Sequence, residues 1–210
     1  MAEKKYVYSF QEAHEAHLGK DILGGKGNGL AEMTAAGINI PQGFTITTEA
    51  CNLYYESGKK IPDFVWDDIV AHVHQVEKID NKAFGGGKGV PLLVSVRSGA
   101  RMSMPGMMDT ILNLGLNDET VEELVKATGN ERFAWDSYRR FILMFTNIAK
   151  GHPRTEMDAM LDKIKEENHY KLDTEVTVPQ LKELVKAYKA YYKKTFGEDF
   201  PTDPYTQLKE

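Results

Sequence analysis

In Leu92-Leu93-Val94-Ser95-Val96-Arg97-Ser98-Gly99 an apolar run, Leu92 to Val96, is followed directly by an arginine. Pro91 precedes it, and its length and β-branched content read as a short, buried strand. A guanidinium does not belong inside such a strand, so Arg97 marks where the strand runs out. Strand ends face the crevices in which α/β sheets gather ligands. The planar fork of arginine donates two parallel hydrogen bonds to one phosphate group. The competing role for Arg97 is a structural ion pair with a carboxylate. Beyond it, Arg101-Met102-Ser103-Met104-Pro105-Gly106-Met107-Met108-Asp109-Thr110 reads as an irregular loop, and its four methionines read as core filling.

Toward the N-terminus the pattern is mixed α/β. Tyr6 to Phe10 and Gly43 to Ile46 read as short strands. Asn28 to Ala36 reads as a helix that Gly37 ends from the C′ position. Thr47 or Thr48 caps a second helix reaching about Ser57, with Glu49 in its first turn where the helix dipole favours negative charge. A third helix is expected from Phe64 to Lys78, and Gly85 to Gly89 is a flexible connection. Leu23-Gly24-Gly25-Lys26-Gly27-Asn28-Gly29-Leu30 is a glycine-rich turn entering a helix. Glycines let backbone N–H groups approach an anion, and a helix N-terminus with Lys26 beside it adds positive charge. The segment lacks the Lys-Ser/Thr ending of a P-loop and the spacing of a dinucleotide fingerprint. Taken alone it is equally a surface turn without a ligand.

From Asn117 the pattern becomes helix after helix. Asp118 is the expected cap of a helix carrying Val121, Leu124 and Val125 and closed by Gly129. Arg132 to Lys150 carries Tyr138, Phe141, Ile142, Phe145 and Ile148 at helical spacing. Thr155 is the expected cap of a helix with Met157, Met160, Leu161 and Ile164 on one face. Thr177 precedes a helix with Leu181, Leu184, Val185, Tyr188 and Tyr192 on one stripe and Gly197 at its end. The expected division is therefore an α/β part over 1–116, a helical part over 117–199 and a tail over 200–210, frayed if it is a chain end.

Composition narrows the function classes. The chain has 210 residues, 41 % apolar and 27 % charged, with a formal net charge of −5, which offers no electrostatic footprint for nucleic acid. Cys51 is the single cysteine, so neither an internal disulfide nor a thiolate metal site is expected. No run is long enough to span a bilayer, and Met1 to Tyr8 lacks the apolar stretch of a signal peptide; the expected location is cytoplasmic. His14 and His17 stand at i, i+3 with no further ligand, and read as surface residues. His72 and His74 fall on different helix faces. Asp136 can pair with Arg140 at i, i+4.

Taken together, several segments resemble one family. Gly24-Gly25-Lys26-Gly27, Leu30-Ala31-Glu32-Met33, Pro41-Gln42-Gly43-Phe44-Thr45 and Thr47 to Cys51 are similar to the opening of the phosphoenolpyruvate-utilising dikinases and synthases. Val94 to Ala100 followed by Ser103-Met104-Pro105-Gly106-Met107-Met108-Asp109-Thr110 and on to Asp118 resembles the pyruvate, phosphate dikinase branch. Arg132 to Ile142 is similar to that family's helical subdomain. Phosphoenolpyruvate synthases and glucan or water dikinases carry a more acidic loop after the Arg-Ser pair, which sets them behind.

The resemblance implies an ATP-grasp N-terminal subdomain followed by an all-α subdomain, an incomplete ATP-grasp fold. It implies that Lys26 and Arg97 bind the ATP phosphates and that the loop from Arg101 to Thr110 closes over them. Main-chain donors near Ser103 and Gly106 would then hold the transferring group, with Thr110 assisting. Met102 departs from the small or β-branched residue more usual in the family. ATP with Mg²⁺ is the implied cofactor, its metal ligands expected outside this chain. The implied partners are the phosphohistidine and pyruvate/phosphoenolpyruvate domains of a larger, homodimeric dikinase. No complete catalytic set is expected here, so the chain by itself is expected not to turn over. A non-catalytic nucleotide-binding or interaction module is the alternative.

Overall fold

The computed structural model describes residues 4–87, 89–99 and 109–210. By internal contacts the chain divides into two compact units. One runs to Asn81, and the other comprises Lys82–Arg97 with Asp109–Glu210. The architecture is mixed α/β, as the pattern predicts. The expected division near residue 116 sorted segments by secondary-structure type; contacts group the strands after residue 82 with the helices.

In the first unit, β1 (Val7–Ser9) pairs antiparallel with β2 (Phe44–Ile46) in the register Val7↔Ile46 to Ser9↔Phe44. Around this ribbon lie α1 (Phe10–Glu15), α2 (Lys20–Ala35), α3 (Thr48–Glu56) and α4 (Asp63–Asp80). Ser9 and Glu12 form a capping box that starts α1 directly from the strand. Thr47 caps α3 through its side chain, which accepts from the Ala50 N–H. The core is built from small aliphatic groups. Ala13, Leu23 and Ala31 form one cluster, with Tyr8 and Leu18 packed on it, and α4 buries Val65, Ile69, Val73 and Val76.

In the second unit the run at Leu92 is not one buried strand. β3 (Ala83–Phe84) pairs parallel with β4 (Pro91–Leu92). The chain then changes partner at Leu93, and β5 (Val94–Arg97) pairs antiparallel with β6 (Thr110–Leu114). Leu92 is buried, whereas Val96 is 37 % exposed. The two residues lie in different ribbons, Leu92 paired with Phe84 and Val96 with Ile111, so their burial is set by different neighbours.

The helices follow their predicted periodicity closely. α5 (Asp118–Thr128) is capped one residue earlier than expected, by Asn117, whose side chain accepts from the Glu119 and Thr120 N–H groups at 2.9 and 2.8 Å. α6 (Glu131–Met144) runs into a π-helical turn at Phe145–Ala149. α7 (Thr155–Glu167) begins at Thr155 itself, after Arg154. α8 (Val178–Phe196) packs along α6 and buries Leu181, Leu184, Val185, Tyr188 and Tyr192. Tyr138, Phe141, Ile142, Phe145 and Leu181 are fully buried with them. Burying each large side chain contributes on the order of 1.5–3 kcal/mol.

The last residues are not frayed. Phe200 is 3 % exposed and stacks edge-on against Phe141, Phe145 and Tyr192. α9 (Pro204–Lys209) buries Gln207. That amide accepts from the Gly115 N–H at 3.0 Å and donates to the Leu116 and Pro201 carbonyls at 3.0 and 2.8 Å. A segment that satisfies buried backbone groups is held like core, whatever its place in the sequence.

Candidate functional site

Lys26 owes its position to Gly24. α2 is interrupted there by φ 69° and ψ 170°, a combination reached essentially by glycine alone. The helical path resumes at Gly25, so Lys26 occupies the first turn of the resumed helix, where backbone N–H groups carry partial positive charge. Gly27 lets this turn close on β2: a Cβ there would stand 2.7 Å from the Thr45 Cγ2. Asn28 is buried and donates to the Glu32 carboxylate at 2.7 Å. Lys26 itself is half-buried and forms no ion pair with any described residue. A cation held near a helix start without an anionic neighbour suits an external anion.

Arg97 is the last residue of β5 and is exposed. It stands directly opposite Thr110, the first residue of β6. The ribbon that carries both is anchored by Ile111 and Leu114, which are 7 % and 1 % exposed. A bulge between Val94 and Val96 shifts the register, with Asn113 opposite in a left-handed conformation at φ 59°. Bulges turn the local direction of a ribbon and re-aim its side chains. Arg97 has no carboxylate partner among the described residues, so the structural ion pair that competed for it is not formed there.

Of the other expected contacts, Arg101, Ser103 and Gly106 lie outside the described residues. Thr110 is brought together with Arg97. Lys26 belongs to the first unit and Arg97 to the second, so each half of the cationic pair stands as described within its own unit. Among the described residues no group of three or more His, Cys, Asp or Glu side chains converges to hold a metal ion.

Sequence reasoning missed a buried ionic cluster on α6. Arg139 is 4 % exposed, and both its Nε and a terminal nitrogen donate to Asp136 Oδ1, at 2.9 and 2.6 Å. Asp136 also meets Arg140 at 3.0 Å, the i, i+4 pair expected from spacing. Asp173 extends the cluster, at 3.4 Å from Arg139 and 3.0 Å from Lys165, and the Lys165 ammonium holds its carboxyl below the usual range. Arg132 donates to the backbone carbonyls of Asp173 and Val176. The signal was available: Arg139 follows Tyr138 within the apolar stripe of α6.

His72 was also placed only by face. It is 2 % exposed and sits between Glu12 of α1 and Asp68 of its own helix, while His74 is exposed and meets Glu77 at 2.7 Å.

Comparison with known proteins bears on these features. Residues 20–85 match the family model described as Pyruvate phosphate dikinase, AMP/ATP-binding domain. That span includes Lys26 and stops before Arg97. The pyruvate, phosphate dikinase of Clostridium symbiosum is 52 % identical over 205 residues, covering 97 % of this chain and 23 % of the relative. That of Entamoeba histolytica is 48 % identical over 202 residues, covering 96 % of this chain and 22 % of the relative. The chloroplastic pyruvate, phosphate dikinase 1 of Zea mays is 49 % identical over 189 residues, covering 90 % and 20 %. The chain spans about a fifth of the length of these curated relatives. With about half of its residues identical to these relatives over 90–97 % of its length, the chain belongs to the pyruvate, phosphate dikinase family.

Proposed function

We propose that this chain supplies part of an ATP-phosphate grip within a pyruvate, phosphate dikinase, the reaction being ATP + pyruvate + phosphate to AMP + phosphoenolpyruvate + diphosphate. The observation that carries the reading is Arg97, exposed at the end of β5 opposite Thr110 and without an anionic partner among the described residues. Lys26, unpaired among those residues at a resumed helix start, supports it.

In this reading the chain does no covalent chemistry. Phosphoryl transfer depends on positioning and on charge stabilisation of the transferring group. Arg97 donates its fork to phosphate oxygens, Lys26 adds a point charge, and the Thr110 hydroxyl adds a neutral donor. Arg101, Ser103 and Gly106 complete the same grip, and the fold is that of an ATP-grasp nucleotide-binding domain. No group of three or more His, Cys, Asp or Glu side chains converges among the described residues, and no step is assigned to Mg²⁺. The receiving histidine, the pyruvate site and the dimer contacts belong to other parts of the assembled dikinase.

The test separates the two halves of the reaction in a dikinase carrying these residues. Arg97→Ala is expected to slow phosphoryl transfer from ATP by roughly tenfold to a hundredfold, the loss of a charge-assisted hydrogen-bond pair. Transfer involving phosphoenolpyruvate is expected to be unchanged. Equal loss in both halves, or no loss in the ATP half, overturns the assignment.

A further inference from the structure

The ring of His72 is surrounded by acceptors. Nδ1 lies 2.8 Å from the Asp68 carbonyl oxygen and 3.1 Å from Asp68 Oδ1. Nε2 lies 3.2 Å from Glu12 Oε2. A backbone carbonyl can only accept, so Nδ1 carries a proton. An ionised carboxylate can also only accept. Glu12 is held ionised by Lys5, whose ammonium is 2.6 Å from Oε1, and by the Ser9 N–H, 2.8 Å from Oε2. Nε2 therefore carries a proton as well. Either neutral tautomer would turn a lone pair of this buried ring toward a carboxylate or a carbonyl, and a mismatch on a buried ring nitrogen is costly.

Among the described residues, the groups facing the ring are Glu12 from α1, Asp68 from α4 and the Phe44 ring of β2 at 5.5 Å, with Lys5 behind Glu12. Two carboxylates and one carbonyl thus converge on one imidazole, and the lysine answers only the far oxygen of Glu12. The cluster joins α4 to α1 across 60 residues of sequence. α1 in turn packs on α2 through Ala13, Leu23 and Ala31, so the clamp helps seat the helix that carries Lys26.

We propose that His72 is an imidazolium, and that its proton closes a pH-sensitive clamp between α1 and α4. The sign follows from the donor count. The native unit binds this proton between Asp68 and Glu12, so the clamp contributes stability at low pH and loses it at high pH, where the proton is gone. The inference rests on hydrogen-bond geometry and stands independently of the nucleotide reading.

Two measurements on the 210-residue chain test it. Nitrogen-15 NMR of the histidine rings at about pH 8, where a free imidazole is neutral, is expected to show both His72 nitrogens protonated; one protonated and one bare nitrogen overturns the proposal. Urea unfolding followed at Trp66, between about pH 6 and about pH 9, is expected to show a falling midpoint in the native chain. The slope is expected to flatten in His72→Gln, which keeps a single amide donor toward Glu12. An unchanged slope in His72→Gln overturns the clamp. If His72→Gln does not fold, Glu12→Gln serves instead, because a neutral amide facing Nε2 removes the demand for the second proton, and the NMR signature is expected to change to a neutral ring.

Discussion

At the scale of single residues, the features that matter are those whose surroundings leave a side chain one conformation or one charge. Gly24 sits at φ 69°, ψ 170°, and Gly24→Ala is expected to cost about 1–3 kcal/mol in urea unfolding and to disturb the turn beneath Lys26. Glu12 shows how charge is held. Partial burial works against its ionised form, but the Lys5 ammonium, the Ser9 N–H and His72 outweigh that and pull its pKa from 4.5 to about 2. A lowered carboxylate stabilises the fold above its unfolded value, and that stability is lost as pH falls through the native one. Stability, read from urea unfolding at Trp66, should therefore fall between about pH 4.5 and about pH 2, and Glu12→Gln should reduce that slope. In α6, Arg139→Ala would leave Asp136 buried beside a single exposed arginine; a loss of about 3–5 kcal/mol is expected, checked by chemical denaturation.

At the scale of elements, caps and stripes were readable locally while partners were not. Thr47, Thr177, Gly129 and Gly197 end or begin helices as their residue types require. The strand at Leu92 was misjudged because burial on one face or two depends on what covers a ribbon, and a short apolar run looks alike in both cases. α9 is the clearest case of tertiary control. Its six residues are too short to be stable alone, yet Gln207 saturates the Gly115 N–H and the Leu116 carbonyl at the junction of β6 and α5. Gln207→Ala is expected to destabilise the second unit by about 1–3 kcal/mol, the cost of orphaning buried backbone groups, measurable as a lowered urea midpoint read at Trp135.

At the scale of the whole molecule, the two units differ in the matter of their cores. The largest fully buried side chains include Tyr138, Tyr188, Tyr192, Phe141 and Phe145, all in the second unit, whereas the first contributes Val7. Apolar area buried scales with side-chain size, so the second unit should be the more stable. Each unit carries one of the two tryptophans, Trp66 and Trp135. Single-tryptophan variants, Trp66→Phe and Trp135→Phe, are expected to give separate urea midpoints, the Trp66 signal changing first; coincident transitions would show one cooperative fold.

The sequence by itself determined the helices, their ends and the identity of the cationic residues, because periodicity, capping and the strand-terminal arginine are local properties of a chain. Lys26 and Arg97 were recognisable for that reason, and relatives about half identical over nearly the whole chain place both in one family. Only the tertiary structure decided that Arg97 faces Thr110 without a carboxylate among the described residues, that His72 lies between two acids, that Arg139 is buried, and that the last residues are docked. Each of these depends on what another segment brings within a few ångströms, and hydrogen bonding and burial are set by those neighbours rather than by the residue's own type.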